Sequence, residues 1–289
     1  MKNILITGAN GQLGNCLRDL AKEYQDKYRF FYTDVAELDI TDAAAIDKYI
    51  IDNQINVIIN AAAYTAVDKA EDDQENAYRI NCTAVANLAN ASKKHDLSLF
   101  HISTDYVFSG DSSKPHEEND TPAPKSVYGS TKLAGERAIQ ESGCRAVVIR
   151  TSWLYSEYGN NFVKTMLRLG AERESLRVVC DQIGGPTYAG DLAKAIFCLM
   201  DRGLGHTGTE IYHFANEGVC SWFDFSKAIM EMGGLKCRVE AIPSSDYPAK
   251  ARRPASSVFN LCKIKKTISE DIPYWRDSLL LVINRLREK

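Results

Sequence analysis

In the stretch SVYGSTKLAGE, residues 126–136, a tyrosine and a lysine stand four positions apart, Tyr128 and Lys132. At i and i+4 on a helix the two side chains share a face. An ammonium beside a phenol favours the phenolate, so the spacing predicts a Tyr128 pKa drawn down from about 10 toward working pH. A phenol tuned in this way donates a proton to a carbonyl oxygen as hydride reaches the carbon. The pair gains weight from FHISTDYVF, which ends a β-rich run at Ser103 and Thr104. Hydroxyls there open into the crevice beyond the strand ends, where open α/β sheets bind ligands. Thr104 is placed to hold the carbonyl and tune the proton transfer.

A second device opens the chain. ILITGANGQLGNCL sets Gly8, Gly11 and Gly14 between a strand and an amphipathic helix, so backbone amides at the helix N-terminus can approach a diphosphate. The spacing is G-x-x-G-x-x-G and no G-K-[ST] follows, which disfavours a nucleoside triphosphatase. Asp34, 20 residues after Gly14 at the end of the next strand, can accept from the adenosine ribose hydroxyls and would repel a 2′-phosphate, which leans toward NADH over NADPH. LDITD offers Asp39 and Ile40 to the adenine end, and NAAAYT puts Ala61, Ala62 and Ala63 at a strand's carboxyl end, small enough for a cofactor to lie against the sheet.

The elements that must position these residues alternate. NILIT, RFFYTD, NVIINAA, LSLFHIST and RAVVIRT read as strands. Between them GQLGNCLRDLAKEY, DAAAIDKYIIDN, NAYRINCTAVANLANASKKH and the segment from Tyr128 read as helices. That order predicts an α/β fold with a Rossmann-type doubly wound parallel sheet over residues 1–150. Beyond Thr151 the pattern is less regular. NNFVKTMLRLGAE, AGDLAKAIFCLMDRG and SWFDFSKAIMEMGG read as helices and LRVVCD and EIYHFA as short strands. Residues 151–289 are thus expected to form mainly a smaller α/β substrate lobe, with some segments returning to the first domain. The polar loop 109–125 reads either as a solvated connection or as a flap beside the site.

Composition narrows the partners. The 289 residues are 45% hydrophobic and 25% charged, with a formal charge of -3 and no basic run, so neither nucleic acid nor an anionic membrane surface is an expected partner. The longest apolar runs have strand length, far below the roughly 20 residues a bilayer span needs. MKNILITGANG is too short for a signal-peptide core, so a cytoplasmic location is expected. The eight cysteines show no C-x-x-C spacing and are expected as reduced, mostly buried thiols.

Together, TGANGQLG, NAAAYTAVDKAE, STDYVFSG, YGSTKLAGE, RTSWLY, NNFVKTMLRL and DQIGGPT resemble the extended short-chain dehydrogenase/reductases, in particular the branch that reduces dTDP-linked keto sugars. The resemblance runs from Ile4 to about Asp191, with a weaker tail through ARRPASSVF. It implies reduction of the C4 ketone of dTDP-4-dehydro-L-rhamnose to dTDP-L-rhamnose by NADH or NADPH, in polysaccharide biosynthesis. Tyr128 would be the proton donor, Lys132 would hold the nicotinamide ribose, and Thr104 would be the third catalytic member. Cofactor contacts would fall on Asn10, Gly11, Gln12, Asp34, Asp39, Ile40, Ala63, Tyr64, Thr65 and Ile102, and substrate contacts on Thr104, Asp105 and Trp153. Arg253, with its planar fork of donors, would pair with the sugar nucleotide's diphosphate. Some members of the family dimerise through a magnesium ion; here Asn15 and Gly190 stand where acids would be expected, which implies no metal requirement and a monomer or weak homodimer. A nucleotide-sugar epimerase or dehydratase shares the pair, although Thr104 is followed by Asp105 and Tyr106 and not by the Asp-Glu usual in dehydratases. A non-catalytic dinucleotide-binding regulatory subunit is the alternative from a different class; it would have no need of Thr104, Tyr128 and Lys132.

Overall fold

The computed structural model describes residues 1–205 and 208–288. Its first half runs β1 (Lys2–Thr7), α1 (Gln12–Leu20), β2 (Tyr28–Thr33), α2 (Ala43–Asp52), β3 (Val57–Asn60), the short helices α3 (Val67–Ala70) and α4 (Gln74–Tyr78), α5 (Ala84–Lys94), β4 (Ser98–Thr104), α6 (Val127–Ser142) and β5 (Arg145–Thr151). The second half continues with β6 (Leu154–Tyr155), α7 (Phe162–Glu172), β7 (Ser175–Val179), β8 (Ile183–Gly184), β9 (Thr187–Tyr188), α8 (Ala189–Asp201) and β10 (Thr209–Phe214). After it come β11 (Cys220–Ser221), α9 (Trp222–Gly233), β12 (Arg238–Ile242), β13 (Ser256–Ser257), α10 (Cys262–Ile268) and α11 (Trp275–Arg287).

The main sheet has the order β10-β5-β4-β3-β1-β2, with every neighbouring pair parallel. Apolar side chains cover both faces because successive strand residues point to opposite sides. Ile4, Ile6, Ile59 and Val147 pack with Leu13 and Leu17 of α1 and Leu192 and Ile196 of α8. Leu5, Ile58, Leu99 and Val148 pack with Ile46 of α2, Leu88 of α5 and Ile139 of α6. Each such side chain, fully buried, contributes about 1.5–3 kcal/mol. Strand order reverses between β1 and β3, which opens a crevice at the carboxyl ends of the strands.

β10, in the segment EIYHFA, pairs with β5 from Thr209↔Ala146 to Phe214↔Thr151 and extends the main sheet. The helix read across NAYRINCTAVANLANASKKH is interrupted by a π-turn at Arg79–Thr83. There Asn81 turns its side chain to the backbone of Tyr64, accepting from its N–H at 2.9 Å and donating to its carbonyl at 3.1 Å. Such bulges recur at functional sites. The polar loop 109–125 contributes no residue to the lining of the crevice. His116 exchanges backbone hydrogen bonds with Val258 and Asn260, both 2.8 Å, and its ring stacks on Phe108 at 4.1 Å, which pins the loop to the C-terminal segment. The sequence reading did not anticipate β12, β13, α10 or α11. The eight cysteines are free thiols, five of them buried. Among the described residues no helix is long and apolar enough to cross a membrane.

Candidate active site

Gly8 turns the chain out of β1 at φ +65, and a Cβ there would lie 2.6 Å from the Ala62 nitrogen; only glycine accommodates both. Gly11 is the N-cap of α1 and no side chain caps it, so the first-turn N–H groups remain free to donate to an anion. Gly14 works differently: a Cβ on it would lie 2.5 Å from the Gly8 carbonyl oxygen, so it lets helix and turn close together. Asn15 Nδ2 donates to the carbonyls of Asn10 and Gly11, both at 2.9 Å. The Asn10 N–H donates to Asp34 Oδ2 at 3.2 Å, tying the turn to the end of β2.

A crevice of about 770 Å³ runs from this turn across the strand ends. Gly8, Gly11, Gln12, Asp34, Asp39, Ile40, Ala61, Ala63, Thr65, Ile102, Thr104, Asp105, Tyr128, Lys132 and Trp153 all line it. Asn10, Gly14, Tyr64 and Arg253 lie outside that lining. Tyr64 gives its hydroxyl to Asp73 at 3.0 Å, and Arg253 donates to Asp68 at 2.6 Å and to the Tyr106 hydroxyl at 3.2 Å. Arg253 is thus held by Asp68 and by Tyr106, and Tyr106 itself lines the crevice. Gln12 Oε1 accepts from Ser156 and Asn161 at 3.1 and 2.9 Å, joining α1 to the second half of the chain.

Ser126 caps α6 by accepting from the Gly129 N–H at 3.1 Å, which starts the helix one residue before Tyr128. The phenol sits edge-on to Tyr106, with ring centroids 5.4 Å apart, and beside the Thr104 hydroxyl. Thr104 itself donates to Asp105 Oδ1 at 3.0 Å and accepts from the Tyr106 N–H at 3.2 Å. The expected lowering of the Tyr128 pKa does not occur in this structure. Burial pushes it above the usual tyrosine value, with the Thr104 hydrogen bond a partial offset. The reason is where the lysine goes: Lys132 runs down to the sheet, where Nζ donates to the Ile102 carbonyl at 2.7 Å and lies 3.3 Å from His101 Nε2. A shared helix face sets the side of approach, but the long lysine side chain finds its partners on β4. Burial brings the Lys132 amine down to about 8, opposed in part by Glu136 one turn further on. Burial likewise raises Asp105 to about 6, against the hydrogen bonds of Ser257 and Thr104.

Several neighbours escaped the sequence reading. The Trp153 indole, on a backbone at φ 48, stacks on Trp222 from α9 with centroids 3.6 Å apart, building a flat aromatic wall from two distant segments. Under α6, Arg150 of β5 donates to both oxygens of Glu136 at 2.7–3.2 Å, and both side chains are 2% exposed. Asn60 closes the otherwise apolar run VIIN, and that polar break was a legible signal. Gly190 packs against the Tyr188 ring, where a Cβ would lie at 2.4 Å, while Asp191 accepts from Asn216 and Ser278 at 2.7 and 2.5 Å. Among the described residues no group of three or more His, Cys, Asp or Glu side chains is arranged to hold a metal ion.

With this geometry in place, the chain compares closely with known proteins. The family model described as the RmlD substrate binding domain matches residues 1–288. A dTDP-4-dehydrorhamnose reductase of Aggregatibacter actinomycetemcomitans is 43% identical, with 96% of this chain and 97% of the relative covered. Among solved structures, dTDP-4-dehydrorhamnose reductase from Bacillus anthracis in complex with NADP superposes with a TM-score of 0.93 at 40% identity, covering 99% of this chain and 100% of the other. A reductase of the same name from Clostridium acetobutylicum superposes with a TM-score of 0.92, also at 40% identity, with 99% of each chain covered.

Proposed function

The chain belongs to the RmlD substrate binding domain family of dTDP-4-dehydrorhamnose reductases, and on that premise we propose that its crevice reduces the C4 ketone of dTDP-4-dehydro-L-rhamnose to dTDP-L-rhamnose. The observation that carries the reading within this chain is the half-buried Tyr128 phenol, which lines the crevice beside the Thr104 hydroxyl at the end of β4. The uncapped N-terminus of α1 and the cradle at Gly8 suit the diphosphate of a nicotinamide dinucleotide. When bound, that cofactor supplies the hydride.

The chain supplies the rest. Thr104 orients the ketone oxygen, and Tyr128 Oη gives it the proton as negative charge develops, so the alkoxide never has to form free. Because burial keeps the phenol protonated well above neutral pH, the donor is charged with its proton throughout the physiological range. Lys132 is positioned from below through Ile102 and His101. The Trp153–Trp222 wall offers a flat face to the substrate end of the crevice. Asp105 and Tyr106 are taken up by Thr104 and Arg253, which supports reduction over the water loss of a dehydratase, since no second free acid follows the threonine.

Asp34 lines the crevice, and its carboxylate favours NADH at the adenosine ribose. The NADP-bound relative indicates that the family accommodates the phosphorylated cofactor as well. Asn15 and Gly190 hold structural places and supply no carboxylate, so activity is proposed to need no metal and the chain to act as a monomer or weak homodimer. The deciding assay follows oxidation of NADH and NADPH with enzymatically made dTDP-4-dehydrorhamnose, beside a dTDP-4-keto-6-deoxyglucose control. Oxidation with the first sugar alone supports the reading; oxidation with neither sugar refutes it.

A further inference from the structure

The small sheet β11-β8-β13 lies outside the main sheet, yet two residues that line the crevice rest on it. Ser257 of β13 hydrogen-bonds Asp105, and its register partner Gly184 of β8 lies against Trp153. Thr151, at the end of β5, is the register partner of Thr104, so Trp153 enters the crevice two residues past the level of that hydroxyl. Its backbone stands at φ 48, in the left-handed region that a bulky residue keeps only where its surroundings over-determine it. Those surroundings are specific. The Thr187 N–H donates to the Trp153 carbonyl at 3.2 Å, and the Ser152 hydroxyl donates to the Gly185 carbonyl at 2.7 Å. Gly184 gives the indole its room, since a Cβ there would lie 2.7 Å from Trp153 Cε2. Trp222 covers the ring, with 3.6 Å between centroids and 8° between planes. Antiparallel pairing sets Cys220 opposite Gly184 and Ser221 opposite Ile183, so β8 and β11 bring the glycine and the covering ring to one place. Trp222 is itself fixed: Ser221 and Asp224 form a capping box at the start of α9, and Phe162 of α7 packs on the indole with centroids 4.5 Å apart. Trp153 lines the crevice and Trp222 does not, so whatever Trp222 does for a ligand it does through Trp153.

We propose that Trp222 is a positioning residue for substrate affinity: it locks the Trp153 indole in one strained conformation, so that Trp153 presents a preformed apolar surface to the C–H face of the keto sugar. The inference rests on the crevice being the sugar-nucleotide site proposed above. A side chain already held in its bound conformation loses no freedom when the ligand arrives, which favours binding. Turnover should be spared, because the groups around the reacting oxygen are held by other partners. Thr104 bonds to Asp105 and to the Tyr106 N–H, and Lys132 to Ile102 and His101. Cofactor affinity reports whether a disturbance spreads further, since the neighbouring Leu154 carbonyl accepts from Gln12 Nε2 of α1 at 3.4 Å.

The test uses the full chain labelled with 5-fluorotryptophan. The chain has three tryptophans, and the fluorine resonances of Trp153 and Trp222 are assigned by their disappearance in Trp153→Phe and Trp222→Phe. In the wild type the Trp153 resonance should be single and narrow. Trp222→Leu keeps an apolar side chain at the position but removes the flat ring. It should broaden or split the Trp153 resonance and raise KM for dTDP-4-dehydrorhamnose by at least about tenfold, with kcat within about threefold and the cofactor Kd within about twofold of wild type. Trp222→Met carries the same expectation should the leucine variant not fold. Trp222→Phe keeps a ring on the indole and should restore both the single resonance and a KM within about threefold of wild type. A Trp153 resonance that stays single and narrow without the ring overturns the proposal, as does an unchanged KM. So does a phenylalanine variant as impaired as the leucine one, or a loss of kcat or cofactor affinity as large as the change in KM, which would mark a general loss of structure. A protein inactive on the dTDP sugar would refute the functional reading, whereas the resonance decides without substrate whether Trp222 locks Trp153.

Discussion

Removing one oxygen from Tyr128 isolates the proton donor. In Tyr128→Phe the ring keeps its edge-on contact with Tyr106, 5.4 Å between centroids, and α6 keeps its Ser126 cap. Only the hydroxyl beside Thr104 is lost, so the stability cost should be that of one hydrogen bond, about 1 kcal/mol. Lys132 should hold its place, because its bonds run to Ile102 and His101 and none runs to Tyr128. Cofactor affinity should therefore stay within about twofold of wild type, as expected for a change that leaves the ground-state contacts intact. Catalysis is another matter. General acid catalysis contributes about 100- to 10,000-fold, equivalent to about 3–5 kcal/mol of barrier, and that loss should appear in kcat with KM little changed. The assay is nicotinamide absorbance under single turnover, paired with fluorescence titration of the reduced cofactor. A variant that keeps kcat within about threefold of wild type, with chemistry limiting, shows that another group delivers the proton.

Asp34→Ala should weaken NADH binding by about 1.5–3 kcal/mol while sparing or improving that of NADPH, moving the preference at least about tenfold; because Asp34 also holds the Asn10 N–H, an equal loss for both cofactors would mean that it only shapes the turn. Glu136→Gln leaves the buried Arg150 uncompensated and should cost about 3–5 kcal/mol by urea unfolding, whereas Glu136→Gln combined with Arg150→Met should recover part of that loss; a single variant as stable as wild type would show the pair to be dispensable. Burial and Arg150 depress His213 from 6.5 to about 3, so its contribution is fully present above pH 6.5 and lost as the pH falls toward 3. Between pH 7.5 and pH 5 the wild type should lose about 2 kcal/mol more than His213→Gln, and parallel pH profiles would refute the assignment.

What the sequence determined by itself is local. Gly8, Gly11 and Gly14 announce a strand-to-helix turn, because the positive φ of Gly8 is a local property and a Cβ on Gly11 or Gly14 would meet the Gly8 carbonyl a few positions away. Tyr128 and Lys132 share a face because a helix repeats every 3.6 residues. The alternation of apolar runs and amphipathic helices implies a parallel sheet before any contact is known. Tertiary structure decided what those residues meet. Spacing placed Lys132 beside Tyr128, yet its amine lies against Ile102 and His101 of β4, since a long side chain follows whichever buried acceptors the neighbouring strand presents. The same holds for Arg253 on Asp68, 185 residues apart in the chain, for Trp153 on Trp222, and for β10, whose place beside β5 no short-range pattern encodes. Asn60 and His101 show the limit most plainly: each is one polar residue in an apolar strand, and the bond between them exists only because β3 and β4 pair in this register. Local sterics are written in neighbouring residues, whereas the partner of a buried side chain depends on groups that only the folded sheet brings together.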